Sequence, residues 1–273
     1  MRVVLDFERE RGTVSPSRYW AARWSIARFE TLHLRTLRKY DLVGDVAAND
    51  AEYYRKAGHP GAFYIQNVWP DRFGDGWRAR RKELEKKAPS IVVGNIGKLG
   101  ATANTLGLDL LGRELLPELR RLVSAGSYEV HLFGAGSLRP EVGEPLQAPE
   151  VRQRGFVDDI DREMLSAQVF LCMNNASPYK VGHTRYLHAW SLGMCVVAHT
   201  DAAVSMPEIV HRKNALLGRN AREIAELTAE AMASPALRAE LGEAGYQTFR
   251  TEFTAPVVAS RILEKTSRLP LRS

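Results

Sequence analysis

Between Lys180 and Arg185 the chain carries the residue types of an anion cradle: Lys180, Gly182, Thr184 and Arg185. Glycine allows close approach to the backbone. Threonine caps a helix and offers a hydroxyl. Lysine and arginine neutralise phosphate charge. A helix beginning at Thr184 aims its positive end at the same place. The chemistry implied is binding of a diphosphate. The plainer reading is an ordinary loop with a threonine N-cap and a solvated arginine, and composition leaves both open. Gly94, Asn95 and Lys98 sit in a second glycine loop that suits an anion. Gly134-Ala135-Gly136 is a weaker third, because many α/β strands end that way. His188, one turn into the Thr184 helix, is either a ligand contact or a satisfied structural histidine, and His183 and His199 are weaker candidates. No spacing matches a Ser-His-Asp set, a Walker loop or a metal site.

Such residues act together only if strands and helices position them. Val3–Phe7 reads as a strand, Ser17–Tyr40 as a helix, Leu42–Ala47 as a strand, Asn49–Ala57 as a helix and Phe63–Gln66 as a strand. That order indicates a parallel sheet. Residues 67–76 are rich in Pro, Gly and Asp and read as a linker, followed by a charged helix at Trp77–Lys87. A second α/β unit starts at Ser90. Its expected strands are Ile91–Val93, Glu129–Phe133, a short one within Val151–Val157, Val169–Met173 and Met194–His199. Its expected helices are Leu106–Ala125, Ile160–Ala167, Thr184–Leu192, a short one at Pro207–His211, Arg222–Ala233 and Pro235–Phe249. Strands apolar throughout belong to a parallel sheet covered on both faces. Ligands of such sheets lie beyond the carboxyl ends of the strands, where every candidate above falls.

The 38 Lys and Arg exceed the 32 Asp and Glu by six. That balance suits an anionic ligand or surface. The densest basic cluster, Arg78-Ala79-Arg80-Arg81-Lys82, reads as a solvated helix face, or else as a membrane-facing patch. Cys172 and Cys195 lie in apolar runs and read as buried small hydrophobes. No run of about 18 apolar residues suggests a transmembrane helix. The opening residues lack a signal peptide's features, so a cytoplasmic location is expected.

Taken in order, several segments resemble the C-terminal domain of GT-B glycosyltransferases of the large retaining, nucleotide-sugar-dependent group. They are Ile91-Val92-Val93-Gly94, Gly107-Leu108-Asp109-Leu110-Leu111, His131-Leu132-Phe133-Gly134-Ala135-Gly136, Gly155-Phe156-Val157-Asp158-Asp159, Leu165–Met173, Gly193–Ala198, Pro207-Glu208-Ile209-Val210 and Asn214–Gly218. Upstream, Asp41–Ala51 resembles the last strand–helix unit of the acceptor domain, and Asn67-Val68 the link between domains. The tail from Thr254 resembles the helix that returns to the N-terminal domain. Two positions depart from the family's pattern. Lys180 and His188 stand where its members usually carry two glutamates eight positions apart. The arginine and lysine that usually grip the diphosphate from the first loop are also not cleanly present, which leaves Lys98 or Arg185 to substitute.

The resemblance implies an α/β, GT-B-like fold, with one near-complete Rossmann-like C-terminal domain and a partial Rossmann-like N-terminal domain. The expected boundaries are 1–75, 76–253 and 254–273. The implied activity is transfer of a sugar from a nucleotide-diphosphate sugar to a hydroxyl acceptor, glycan or lipid-linked. The catalytic residue stays unassigned. The donor-site set is Gly94, Asn95, Lys98, Gly134, Phe156, Val157, Lys180, Gly182, Thr184, Arg185 and His188. Phe156 and Val157 would meet the base, and His188 the ribose. The nucleotide sugar is a substrate, and neither a cofactor nor a metal is expected. Peripheral contact with the inner face of a membrane is allowed, nucleic acid is not expected, and pairing through an exposed sheet edge at Val3–Phe7 is a further expectation. The alternative is a non-catalytic GT-B-like nucleotide-binding or scaffold subunit, which the missing glutamates and the short N-terminal domain favour. A GT-B sugar epimerase is harder to support.

Overall fold

The structure, a computed structural model, describes all residues except 1, 11, 13, 86–87, 174–183, 268 and 270–273. Residues 2–4, 7, 102, 141 and 172 are described by backbone alone. The chain forms two compact units, one of residues 1–65 and 260–273, the other Gln66–Ala259.

The first unit opens with α1 (Arg2–Glu10) and α2 (Pro16–Leu37). Then follow β1 (Val43–Asp45), α3 (Ala48–Lys56) and β2 (Ala62–Tyr64). β1 and β2 pair in parallel, with α3 as the crossover. The strand expected at Val3–Phe7 is instead a helix. Four apolar residues in five fit either period, and the partner decides. Leu5 is buried, and Asp6 accepts hydrogen bonds from Tyr19 Oη at 2.7 Å and Arg23 Nη1 at 3.2 Å on α2. With no strand there, the sheet edge expected to drive pairing between copies is absent. This unit holds fifteen Lys and Arg against nine Asp and Glu, so it carries the whole basic excess of the chain.

The second unit begins with α4 (Trp77–Leu84), β3 (Ser90–Asn95), α5 (Thr102–Leu110) and α6 (Leu116–Leu122). A π-turn at Leu111–Leu115 joins α5 to α6. Pro117 removes one helix donor, and the wider turn takes up the change. Next come β4 (Tyr128–Phe133), α7 (Pro140–Gly143), β5 (Val151–Gly155), α8 (Ile160–Leu165) and β6 (Val169–Cys172). The remainder is α9 (Thr184–Ser191), β7 (Cys195–His199), α10 (Ala202–Ser205), β8 (Leu216–Gly218), α11 (Ala221–Ala233) and α12 (Pro235–Glu252), and α13 (Ala255–Ser267) begins in this unit and ends in the first.

All six strands of this sheet are parallel, in the order β5-β4-β3-β6-β7-β8. Side chains alternate between its faces. Ile91, Val93, Phe170, Val196 and Ala198 join the core under α4, α8, α9 and α12, with Trp190, Tyr246 and Phe249. Val92, Val130, Leu132, Val169, Leu171 and Val197 join the core under α5, α6 and α11, with Leu111, Leu115, Leu116 and Leu119. Each of those four leucines is fully buried, which stabilises the fold by roughly 2 kcal/mol apiece.

Two local expectations are corrected here. Pro207–His211 forms a turn rather than a helix. Buried Asn214 accepts from Val210 N at 2.8 Å and donates to Glu208 O at 2.8 Å, so a side chain takes backbone groups that a helix would use. Arg81, expected on a solvated helix face, is 8% exposed and donates to Ala167 O at 2.9 Å. Cys195 is buried as expected, while the side chain of Cys172 lies outside the described residues.

Candidate functional site

The strand order reverses between β3 and β6. Consecutive connections leave that point in opposite directions and open a crevice above the carboxyl ends. A cleft of about 540 Å³ lies there. The β3 loop gives it Ile96, Gly97 and Lys98, and β4 gives Phe133, Gly134 and Ala135. Gly155, Phe156, Val157 and Ile160 come from the end of β5 and the start of α8. Arg185 and His188 come from α9, and Trp69 and Arg72 from the segment ahead of α4.

Six of the expected site residues therefore meet in one cleft: Lys98, Gly134, Phe156, Val157, Arg185 and His188. Others stand behind it. Gly94 lies within β3, where a Cβ would come within 2.7 Å of Val130 Cγ1, so its place is set by packing. Asn95 is buried and donates through Nδ2 to Gly97 O and Phe133 O, both at 3.0 Å, tying two loops together. Thr184 opens α9 without lining the cleft. Lys180 and Gly182 lie outside the described residues.

The glycine loops are close-fitted. Gly134 has φ +147° and Gly97 has φ +104°, and a Cβ on Gly134 would fall 1.9 Å from Gly97 O. Only glycine accepts both the backbone shape and the approach. The floor beside them is thus bare backbone.

Electrostatically the cleft favours an anion. Arg185 donates through Nη2 to Asn104 Oδ1 at 2.5 Å, and Asn104 Nδ2 donates to Lys98 O at 2.6 Å. The buried Nη1 of Arg185 has no hydrogen-bond partner among the described residues. Among the described residues neither Lys98 nor Arg185 forms an ion pair. Two cationic side chains in one cleft without a carboxylate partner favour an anion there. Phe156, in the same cleft, is 75% exposed. A large apolar ring held out in solvent beside cations suits stacking against a flat partner.

One carboxylate stands just behind the wall. Asp161, on α8, is 5% exposed. His188 Nε2 lies 2.5 Å from Asp161 Oδ1, and Arg72 Nη1 lies 3.1 Å from Oδ2. The hydrogen bond from His188, with the charge of Arg72, holds the Asp161 carboxyl below the usual carboxylate range against the effect of burial. The Trp69 ring covers the imidazole at 4.9 Å between centroids. Sequence reasoning missed Trp69, Arg72 and Asp161. The first two fall in a Pro- and Asp-rich stretch that reads as a linker, and nothing local marks Asp161 among three nearby acidic residues.

A family model of the glycosyl transferases group 1 matches residues 90–234. No curated protein matches the chain by sequence. Among solved structures, a Staphylococcus aureus TarM mutant in complex with fondaparinux, α-GlcNAc-glycerol and UDP aligns with a TM-score of 0.69 at 13% identity, over 86% of this chain and 46% of that one. Anabaena HepE in complex with UDP and glucose aligns at 0.63 and 18% identity, over 84% and 63%. Sucrose-phosphate synthase from Thermosynechococcus elongatus aligns at 0.66 and 16% identity, over 87% and 60%. This chain thus spans less than two thirds of the length of each. The shared fold is GT-B-like, with a Rossmann-like second unit and a partial Rossmann-like first unit.

Proposed function

The chain belongs to the glycosyl transferases group 1 family, and we propose that it transfers a sugar from a nucleotide-diphosphate sugar to a hydroxyl acceptor. One observation carries this reading: Lys98 and Arg185, neither in an ion pair among the described residues, line one cleft with the glycine floor of Gly97 and Gly134. Breaking the sugar–phosphate bond builds negative charge on the leaving diphosphate. Lys98, Arg185 and the start of α9 would stabilise that charge, which is electrostatic catalysis by fixed groups. Phe156 and Val157 take the base, and His188 the ribose between base and phosphates. Lys180 and Gly182 complete the proposed cradle.

Calorimetric titration with UDP, GDP and ADP tests the reading, UDP first because TarM and HepE were solved with it. Micromolar binding of one nucleotide is expected. Arg185→Ala should weaken it by roughly 1–3 kcal/mol, the worth of a charge-assisted contact. Unchanged affinity in that variant would remove Arg185 from the site.

A second reading, nucleotide binding without turnover, draws on Lys180 and His188 standing where the family's glutamates are expected. Transfer or hydrolysis of a nucleotide sugar by the purified chain excludes it.

The proposed acceptor is a glycan or a lipid-linked hydroxyl compound, met in the cytoplasm or at the inner face of the membrane. Membrane contact would fall to the first unit, which carries the basic excess and exposes Trp20 beside Arg9 and Trp24 beside Arg28. Among the described residues no helix is long and apolar enough to cross a membrane. Co-sedimentation with anionic vesicles measures such a contact.

A further inference from the structure

His188 lines the cleft by one edge and is anchored by the other. Its Nε2 faces Asp161 Oδ1 at 2.5 Å, while Nδ1 makes no hydrogen bond among the described residues. Asp161 does not line the cleft. Its second oxygen is taken by Arg72 at 3.1 Å, and α8 itself is fixed at its start by Asp159 Oδ1, which accepts from Arg162 N at 2.9 Å. Trp69 lies against the imidazole ring. The ring is therefore held at Nε2 by a carboxylate that does not line the cleft and on one face by Trp69.

A nitrogen facing a carboxylate must carry the proton. A neutral imidazole has one donor and one acceptor, so the other nitrogen becomes an acceptor. Arg72 Nη1 pairs with the other oxygen of Asp161 at 3.1 Å. Lys98, Arg72 and Arg185 are the cations that line the same cleft.

We propose that Asp161 is a positioning residue that holds His188 as its Nε2–H tautomer, so that Nδ1 accepts a hydroxyl hydrogen from the pentose of a ribonucleoside diphosphate. This rests on the nucleotide reading above. Arg185 and His188 are three positions apart on α9 and share one helix face. A ligand whose phosphates meet Arg185 brings its next unit, the pentose, to His188. The only strong donors on that unit are its hydroxyls. The site then selects ribose over deoxyribose through a histidine whose acceptor character is imposed by a residue the ligand never touches.

The test uses the full chain, with histidine labelled by ¹⁵N, and the variant Asp161→Asn. Without ligand, the wild-type His188 spectrum should show an unprotonated, pyridine-type Nδ1 and a protonated Nε2. A protonated Nδ1 overturns the proposal, and this measurement needs no variant. The binding probes are UDP, GDP and ADP, their 2′- and 3′-deoxy counterparts, and inorganic pyrophosphate. Asp161→Asn should lose about tenfold in affinity for the ribonucleotide, the scale of one well-placed hydrogen bond. It should shrink the preference over the deoxy forms and leave pyrophosphate affinity unchanged. An unchanged ribose preference overturns the proposal, and so does parallel loss of pyrophosphate binding, which marks a merely structural role. A wild type that binds none of these probes defeats the nucleotide reading, while the tautomer spectrum still decides the part played by Asp161.

Discussion

Gly134 and Gly97 face each other so closely that a single methyl carbon on Gly134 would lie 1.9 Å from the carbonyl oxygen of Gly97. Their loops belong to neighbouring strands, so this contact sets the spacing of the cleft floor. Gly134→Ala should destabilise the protein by about 2–4 kcal/mol, combining strain at φ +147° with overpacking. It should also weaken nucleotide binding more than a distant variant of equal stability does. Urea denaturation measures the first effect and calorimetry the second. Wild-type stability in the variant would show that the floor yields.

Phe156 should behave in the opposite way. Its ring is mostly in solvent, so Phe156→Ala should change stability by no more than about 0.5 kcal/mol. Nucleotide affinity should nevertheless fall, because the ring is proposed to stack on the base. Pyrophosphate, which has no base, should bind as before. If both ligands weaken equally, Phe156 acts on loop shape and not on the base.

Acid should act through Asp161. Its folded-state carboxyl is held below the ordinary value, first by the His188 hydrogen bond and also by Arg72. A depressed carboxyl gives stability that is complete above the unfolded-state value, about pH 4, and lost as pH falls through the lower folded-state value. The stability gap between wild type and Asp161→Asn should therefore be constant from neutral pH down to about pH 4 and close below it. Denaturation of both proteins across that range is the check. A gap independent of pH would mean that the carboxylate charge does not matter.

Cys195 should be inert. Burial pushes its thiol up to about 12, only partly offset by Arg81 and Arg238. The thiolate is the reactive form, so iodoacetamide at pH 8 should leave the Cys195 peptide unmodified in the native protein and alkylate it in urea. Mass spectrometry reads both states. Rapid labelling of the native chain would reveal an opening of the sheet near β7.

Much of the second unit is legible in the sequence because its strands are apolar on both faces and its turns are marked by glycine. Ile91–Val93 and Met194–His199 needed no tertiary information to be read. The edge strand β8 was harder, because Leu216–Gly218 is three residues long and follows a turn. α1 was misread because its apolar run suits two periods and only α2 chooses between them. The cleft was half legible. Lys98, Gly134, Phe156, Val157, Arg185 and His188 follow strands or open helices, where the topology puts ligands. The Arg72–Asp161–His188 chain was not legible, since its members lie 89 and 27 positions apart. Only the docking of α8 and of the Trp69–Arg72 segment beside α9 creates it.

The place of Trp69 in the cleft has an optical consequence. An indole lining a cleft changes the colour of its emission when water leaves its surroundings. Trp69 is the tryptophan that lines the cleft among the described residues. The chain therefore carries a light-emitting reporter inside the site, and its emission registers the arrival of a ligand without any added dye.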